Sequence, residues 1–293
     1  MMQALELAVC SHDGHQAELI VRIPDAPRAS MLWLPALGIT ARHYIPFAEA
    51  LAAHGVAVFL HEWRGHGSSN VRAGGGIDWG YRELLEDINA SATTVEAHAN
   101  GLPRLVGGHS LGGQMACMHA ALVPDTIQDV WLVASGAPYW RAFPRPMRWW
   151  LPPTVRFLQW LAQRNGFLPG RRIGFGGNEA AGVMTDWART ALLGRYAAAG
   201  LEEDIEQALS AFNGNVRAIT LSDDWMAPPS SLRFLLSKLA RARVTEAHFS
   251  MQQVGAAADH YAWMKHPDAV AAWLAGTTAA EPIARENTTP ATT

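Results

Sequence analysis

The chain has 293 residues, 49% of them hydrophobic, with 17% charged and a formal net charge of −3. That balance fits a soluble globular protein with a large buried core and argues against extensive disorder. A slightly acidic chain also lacks the electrostatic footprint of a nucleic-acid binder.

Cys10 and Cys117 are far apart and cannot build a disulfide framework, so a reducing compartment is expected. The first ten residues include Glu6 and lack the basic start and long apolar run of a signal peptide. No stretch approaches the roughly 18 uninterrupted apolar residues of a membrane-spanning helix. A cytoplasmic location is the expectation.

Taken in order, Gln3 to Val9 and Ala17 to Ile23 read as two strands joined at the turn signal Asp13-Gly14. Met31 to Leu34 is a short apolar run of the kind that becomes a buried parallel strand. Tyr44 to His54 has helical spacing and stops at Gly55, and Val56 to Leu60 is a further buried strand. Asp78 is placed to cap a long helix through about His98, ended by Asn100-Gly101. Arg104 to Val106 predicts a strand, Leu111 to Leu122 a helix, and Ile127 to Ala134 a strand. Such alternation predicts an α/β fold with a mostly parallel sheet and helices on both faces.

The alternation lapses between about Pro138 and Asn215, a stretch with several prolines, then Trp149, Trp150 and Trp160, then a helical run from Glu179 to Ala199. It resumes with a strand Val216 to Leu221, a helix near Ser230 to Ala240, a strand Val244 to Phe249 and a helix Pro267 to Ala275. The expected organisation is therefore a core of residues 1–137 and 216–275, interrupted by an inserted helical cap, 138–215. Residues 276–293 are Thr-, Ala- and Pro-rich and are expected to fray.

Gly108-His109-Ser110-Leu111-Gly112 follows a strand and opens a helix. A serine on so sharp a turn is held in a strained conformation with its hydroxyl clear of the sheet. Side chains two residues to either side would collide, which requires glycine at both. The helix behind Ser110 offers amide hydrogens and a positive dipole end to a developing oxyanion. The plainer alternative, a glycine-rich turn with a capping serine, does not account for the strand-to-helix placement.

With this motif the chain resembles the α/β-hydrolase superfamily from about Met31 to Leu274. His61-Glu62-Trp63-Arg64-Gly65-His66-Gly67-Ser68-Ser69 is similar to the superfamily's Arg-Gly-His-Gly-x-Ser loop. Leu34-Pro35-Ala36-Leu37-Gly38 and Asp186-Trp187-Ala188-Arg189 resemble segments of bacterial hydrolases grouped with serine aminopeptidase-like and monoglyceride-lipase-like proteins. The resemblance implies a catalytic triad in the chain order Ser, acid, His.

A serine hydroxyl needs a base, and the base an oriented acid. Asp223-Asp224 ends the strand Val216 to Leu221, and neighbouring side chains there face opposite ways. The superfamily's Asp-x-x-x-Pro spacing matches Asp224 to Pro228, which favours Asp224 over Asp223. The superfamily places its histidine where His260 lies, in a small-residue loop before an aromatic. His248 falls inside a strand and His266 adjoins Pro267. The oxyanion hole is expected from the backbone amides of Leu111 and Leu37, with Ala36 and Gly38 left open as second donor. Pro35-Ala36-Leu37 departs from the His-Gly-x common in relatives. No metal-ligand spacing such as HExxH is present, and no cofactor is implied.

The segment 138–215 is rich in aromatics, Tyr139, Trp140, Phe143, Trp149, Trp150, Phe157 and Trp160. They suit either an acyl-binding canopy or the packing of a small subdomain. Asp186, Glu202, Glu203 and Asp204 read as a solvated helix face, with recognition of a substrate amine as the alternative. The expected partner is a small acyl substrate, and the expected activity is hydrolysis of a carboxylic ester through an acyl-enzyme. An acyltransferase or an amide-cleaving, aminopeptidase-like enzyme would use the same triad. A non-catalytic ligand-binding relative is disfavoured by the complete triad.

Overall fold

The computed structural model describes residues 2–127 and 129–276, so the tail expected to fray lies, Gly276 apart, outside the described residues. Strands β1 (Gln3–Cys10) and β2 (Gln16–Ile23) form the expected antiparallel hairpin, with Cys10 opposite Gln16. Then come β3 (Ala29–Leu34), α1 (Ile45–Ala53), β4 (Val56–Leu60), α2 (Tyr81–His98), β5 (Arg104–His109), α3 (Leu111–Leu122) and β6 (Asp129–Val133). The stretch between 138 and 215 holds α4 (Met147–Asn165), β7 (Phe167–Pro169), α5 (Gly170–Ile173), β8 (Asn178–Ala180), α6 (Ala181–Leu193) and α7 (Ile205–Ala211). The alternation ends with β9 (Asn215–Leu221), α8 (Pro229–Lys238), β10 (Arg243–Phe249), α9 (Met251–Val254) and α10 (Asp268–Leu274).

Eight strands form one sheet in the order β1-β2-β4-β3-β5-β6-β9-β10, antiparallel at β1-β2 and β2-β4 and parallel elsewhere. Strand periodicity splits the core in two. Leu32, Leu34 and Phe59 pack toward α2 and α3, whereas Met31, Trp33 and Val58 pack toward α1 and α10. Covering both faces explains why these strands read as unbroken apolar runs. Among the described residues no helix is long and apolar enough to cross a membrane.

The structure departs from expectation in two places. Asp78 does not cap α2: Glu83 accepts the Gly80 amide at 2.7 Å, while Asp78 accepts the Gly182 amide at 3.0 Å. Asp186 is not on a solvated face. It is 1% exposed and accepts the Tyr81 amide at 2.9 Å, so a carboxylate 105 residues away supplies the first-turn partner that sequence reasoning sought locally. Burial raises the Asp186 pKa, opposed by the Tyr81 amide and Arg189. Within the segment expected to be helical, the proline-rich stretch around the tryptophans, to which the sequence assigned no particular element, is a 19-residue helix, α4, despite Pro152 and Pro153 in its interior. Burial of Val155, Leu158 and Ala162 outweighs the missing amide donors. At the far end of the excursion, α7 packs on α3 and α8.

The loop Trp63 to Ser69 is fixed by a buried charge cluster. Arg64 donates Nε to Asp87 Oδ2 at 2.9 Å, Nη2 to Asp87 Oδ1 at 2.8 Å and Nη1 to Asp13 Oδ2 at 2.6 Å. His15 and Ser11 also reach Asp87. Turn, loop and α2 are thereby joined. Burial alone would raise the Asp87 pKa, but hydrogen bonds from Arg64, His15 and Ser11 more than offset it and hold it far below the ordinary range.

A carboxylate depressed in the folded state contributes stability above its unfolded pKa, about 3.9, and loses it as pH falls through the lower folded value. Asp87→Asn should leave Arg64 half-partnered and cost about 3–5 kcal/mol. A urea midpoint that drops at neutral pH, with a shallower acid slope than wild type, is the expected result.

Candidate active site

Ser110 occupies the turn between β5 and α3 with φ 54° and ψ −120°, a left-side conformation that a non-glycine residue adopts only under constraint. The constraint is backbone crowding. A Cβ on Gly108 would lie 2.3 Å from the Gly112 carbonyl carbon, and one on Gly112 would lie 2.1 Å from the Leu34 oxygen and 2.4 Å from the Pro35 oxygen. The spacing of the motif is thus the footprint of a helix starting hard against two strands.

Asp224 follows β9. Its Oδ1 accepts the Met226 and Ala227 amides at 2.9 and 3.0 Å, and its Oδ2 faces His260 Nδ1 at 2.8 Å. Three partners for one buried carboxylate fix its orientation. Asp223 does different work: its amide donates to the Ala258 carbonyl at 2.9 Å and its Oδ2 accepts the Ala258 amide at 3.3 Å. It ties the Asp224 loop to the His260 loop and does not touch the imidazole.

His260 is 4% exposed. Its carbonyl accepts the Trp263 indole at 3.2 Å, and Asp259 caps the turn behind it through the Tyr261 and Ala262 amides. With Nδ1 committed to Asp224, its Nε2 is buried and has no hydrogen-bond partner among the described residues. The structure does not close a Ser110–His260 hydrogen bond. Such bonds are often long or misaligned without substrate and tighten in the complex. His260 packs instead on His109, the residue before Ser110, with ring centroids 4.7 Å apart.

Tyr44 is the residue sequence reasoning missed. Placed only as a helix start, it is fully buried; its hydroxyl accepts the Ala36 amide at 2.9 Å and meets His109 Nδ1 at 2.8 Å. Burial, reinforced by His260, holds the His109 pKa well below the imidazole range, so His109 is neutral. No local pattern announces this contact, because the partners come from three separate elements.

The Tyr44 bond occupies the Ala36 amide, and Pro35 accepts the Trp63 indole at 2.9 Å. The amides of Leu37, Gly38 and Leu111 make no hydrogen bond among the described residues. Leu37 and Leu111 line one small cavity, about 10 Å³, with Glu179 and Val183. Glu179, also missed from sequence, is 5% exposed, accepts the Gly177 amide at 2.8 Å and lies 3.4 Å from His66 Nε2. A cleft of about 780 Å³ lies elsewhere, within 139–193, and includes none of Ser110, Asp224 and His260. Among the described residues no group of three or more His, Cys, Asp or Glu side chains is placed to hold a metal ion.

Sheet order, elbow and acid–histidine pair define an α/β-hydrolase. Solved structures agree: a thermophilic esterase from Thermogutta terrifontis superposes with a TM-score of 0.62 at 15% identity, covering 94% of this chain and 100% of that one. An enol-lactonase from Burkholderia xenovorans gives 0.56 at 19% identity, with 92% and 98% covered. A carboxyl esterase from Bacillus coagulans gives 0.62 at 15% identity, with 85% and 91% covered. At such identity these likenesses establish the fold alone. A family model described as serine aminopeptidase, S33, matches residues 25–250, and the chain belongs to that family of hydrolases.

Gly38, at φ +77°, passes so close to the segment 138–215 that a Cβ there would lie 2.0 Å from the Gly177 nitrogen, a backbone atom that cannot swing aside. Gly38→Ala should displace the Leu37 amide and lower turnover of an activated ester by on the order of 10²-fold. Circular dichroism should show the fold intact.

Proposed function

We propose that the chain is a serine hydrolase that cleaves a carboxylic ester or related acyl compound through an acyl-enzyme. Ser110 Oγ attacks the acyl carbon as His260 Nε2 takes its proton, and the carbonyl oxygen becomes an oxyanion facing the Leu111 and Leu37 amides. Collapse expels the alcohol, which receives the proton from His260. Water, deprotonated by the same imidazole, then releases the acid and regenerates Ser110. Asp224 keeps the tautomer with Nδ1 protonated and stabilises the transient imidazolium. The observation that carries this reading is the buried, unclaimed Nε2 of an imidazole already oriented by Asp224 and packed beside the strained elbow. The segment 138–215 acts in this reading as a cap, meeting the oxyanion loop at Gly38 and Gly177.

Glu179 favours a second reading. Its buried carboxylate borders the cavity shared by Leu37 and Leu111, where a substrate ammonium group could be held, and the family's description names aminopeptidases. Nitrophenyl esters compared with aminoacyl nitroanilides separate the two. A Glu179→Gln defect confined to KM for amine-bearing substrates would favour the second.

A fluorophosphonate should label Ser110 and no other residue, as peptide mass spectrometry would report, and Ser110→Ala should abolish labelling. A label elsewhere, or none on folded protein, overturns the proposal. Asp224→Asn should lower kcat by roughly 10⁴-fold, as the same change does in a serine protease triad. Asp223→Asn, which keeps an acceptor oxygen for Ala258, should have a far smaller effect.

A further inference from the structure

Residues 138–178 contain seven arginines and neither Asp nor Glu, in a chain whose 26 acidic residues outnumber its 23 basic ones. The helix α4 runs through the middle of this stretch. Its buried side is Val155, Leu158 and Ala162. At 3.6 residues per turn, Trp149, Trp150, Phe157 and Trp160 fall within an arc of about 100° on the opposite side. They are 60, 71, 53 and 56% exposed. Single exposed apolar side chains are ordinary, but four large aromatics on one helix face mark an interaction surface.

The arginines frame this face. Arg141 stacks over Trp140 at 4.9 Å and Arg148 over Trp149 at 5.7 Å, while Arg145, Arg156 and Arg164 are exposed. The 780 Å³ cleft opens alongside, bordered by Trp140, Trp149, Arg141 and Arg156. Arg189 also borders it but is already bonded to Asp186 at 2.9 Å.

We infer that the outer face of α4 docks on an anionic lipid surface. Tryptophan and phenylalanine settle where apolar and wet regions meet, and guanidinium groups bind phosphate in forked geometry. An aromatic face on a stretch with seven arginines and neither Asp nor Glu matches the interface of an anionic lipid layer on both counts. A second copy fits worse, because two such faces bring like charges together. No described helix can cross a membrane, so α4 lies along the surface. This binding is independent of Ser110 and goes beyond the hydrolase reading.

The test is co-sedimentation of the full chain, wild type and Ser110→Ala, with vesicles of phosphatidylcholine alone or mixed with phosphatidylglycerol. Both proteins should pellet with the anionic vesicles, remain in solution with neutral ones, and release as salt rises. Replacing Trp149, Trp150, Phe157 and Trp160 together by Ala should weaken binding at least ~10-fold. Arg156→Glu with Arg164→Glu, at two exposed positions, should do the same and decides the matter if the aromatic variant misfolds. The proposal is overturned if wild type stays in solution with anionic vesicles at low salt, or if a folded variant binds as wild type does. A dimer in sedimentation velocity that the aromatic replacements dissolve, or binding to polyglutamate without binding to vesicles, overturns it as well.

Discussion

Backbone crowding around Ser110 is the constraint on which the rest of the site depends. The first turn of α3 is pressed between the end of β5 and the carbonyls of Leu34 and Pro35, closer than any side chain on Gly108 or Gly112 would allow. That proximity drives Ser110 to positive φ, at a cost of about 1–3 kcal/mol. The burial of α3 sustains the strain: Leu111 to Ala121 are all buried, and Gly112, Gly113, Ala116 and Ala120 let the helix approach the sheet. The hydroxyl is therefore aimed by the core and not by its own loop.

The other groups are held on rigid supports of the same kind. Trp33, Phe47 and Trp263 form an aromatic base, with Trp33 and Phe47 centroids 4.6 Å apart and Phe47 and Trp263 at 5.3 Å. Tyr44 rises from it to join the loop after β3 at Ala36 to the elbow at His109. One phenol thus sets the distance between the two backbone segments that face a developing oxyanion in the proposed reaction. Asp223 does the corresponding work between the loops of Asp224 and His260. Precision of this sort limits a preorganised site, because small displacements of donors are costly in rate.

The sequence made the sheet legible because its strands are apolar on both faces and its turns carry glycine. The elbow was legible because glycine at 108 and 112 has a local steric cause, and the contact of Asp224 with His260 because the spacing from Asp224 to Pro228 follows a turn in which Asp224 accepts the Met226 and Ala227 amides. Glu179, Tyr44 and Asp186 were not, since each acts on residues far along the chain and carries no mark of that role in its own neighbourhood. The error at Asp78 has the same origin: a capping pattern is local, and here the first turn of α2 takes a partner from α6. The helix α4 was obscured by its two prolines, whose local effect is outweighed by burial of its inner face.

The positions of β6 and β9 carry a consequence for how such a protein diversifies. These strands are direct neighbours, paired from Asp129 with Asn215 through Val133 with Ile219, although some eighty residues separate them in the chain. A parallel step to the adjacent strand needs only one crossover helix, and α7, seated on α3 and α8, already provides it. Everything between Tyr139 and Gly200 is then topologically a detour that starts and finishes on the same side of the sheet. Lengthening, shortening or exchanging that detour shifts no strand register and leaves the elbow where it is. What such a change would have to keep are the few contacts that tie the detour to the scaffold, Asp186 to the Tyr81 amide, the Gly182 amide to Asp78, and Gly177 against Gly38.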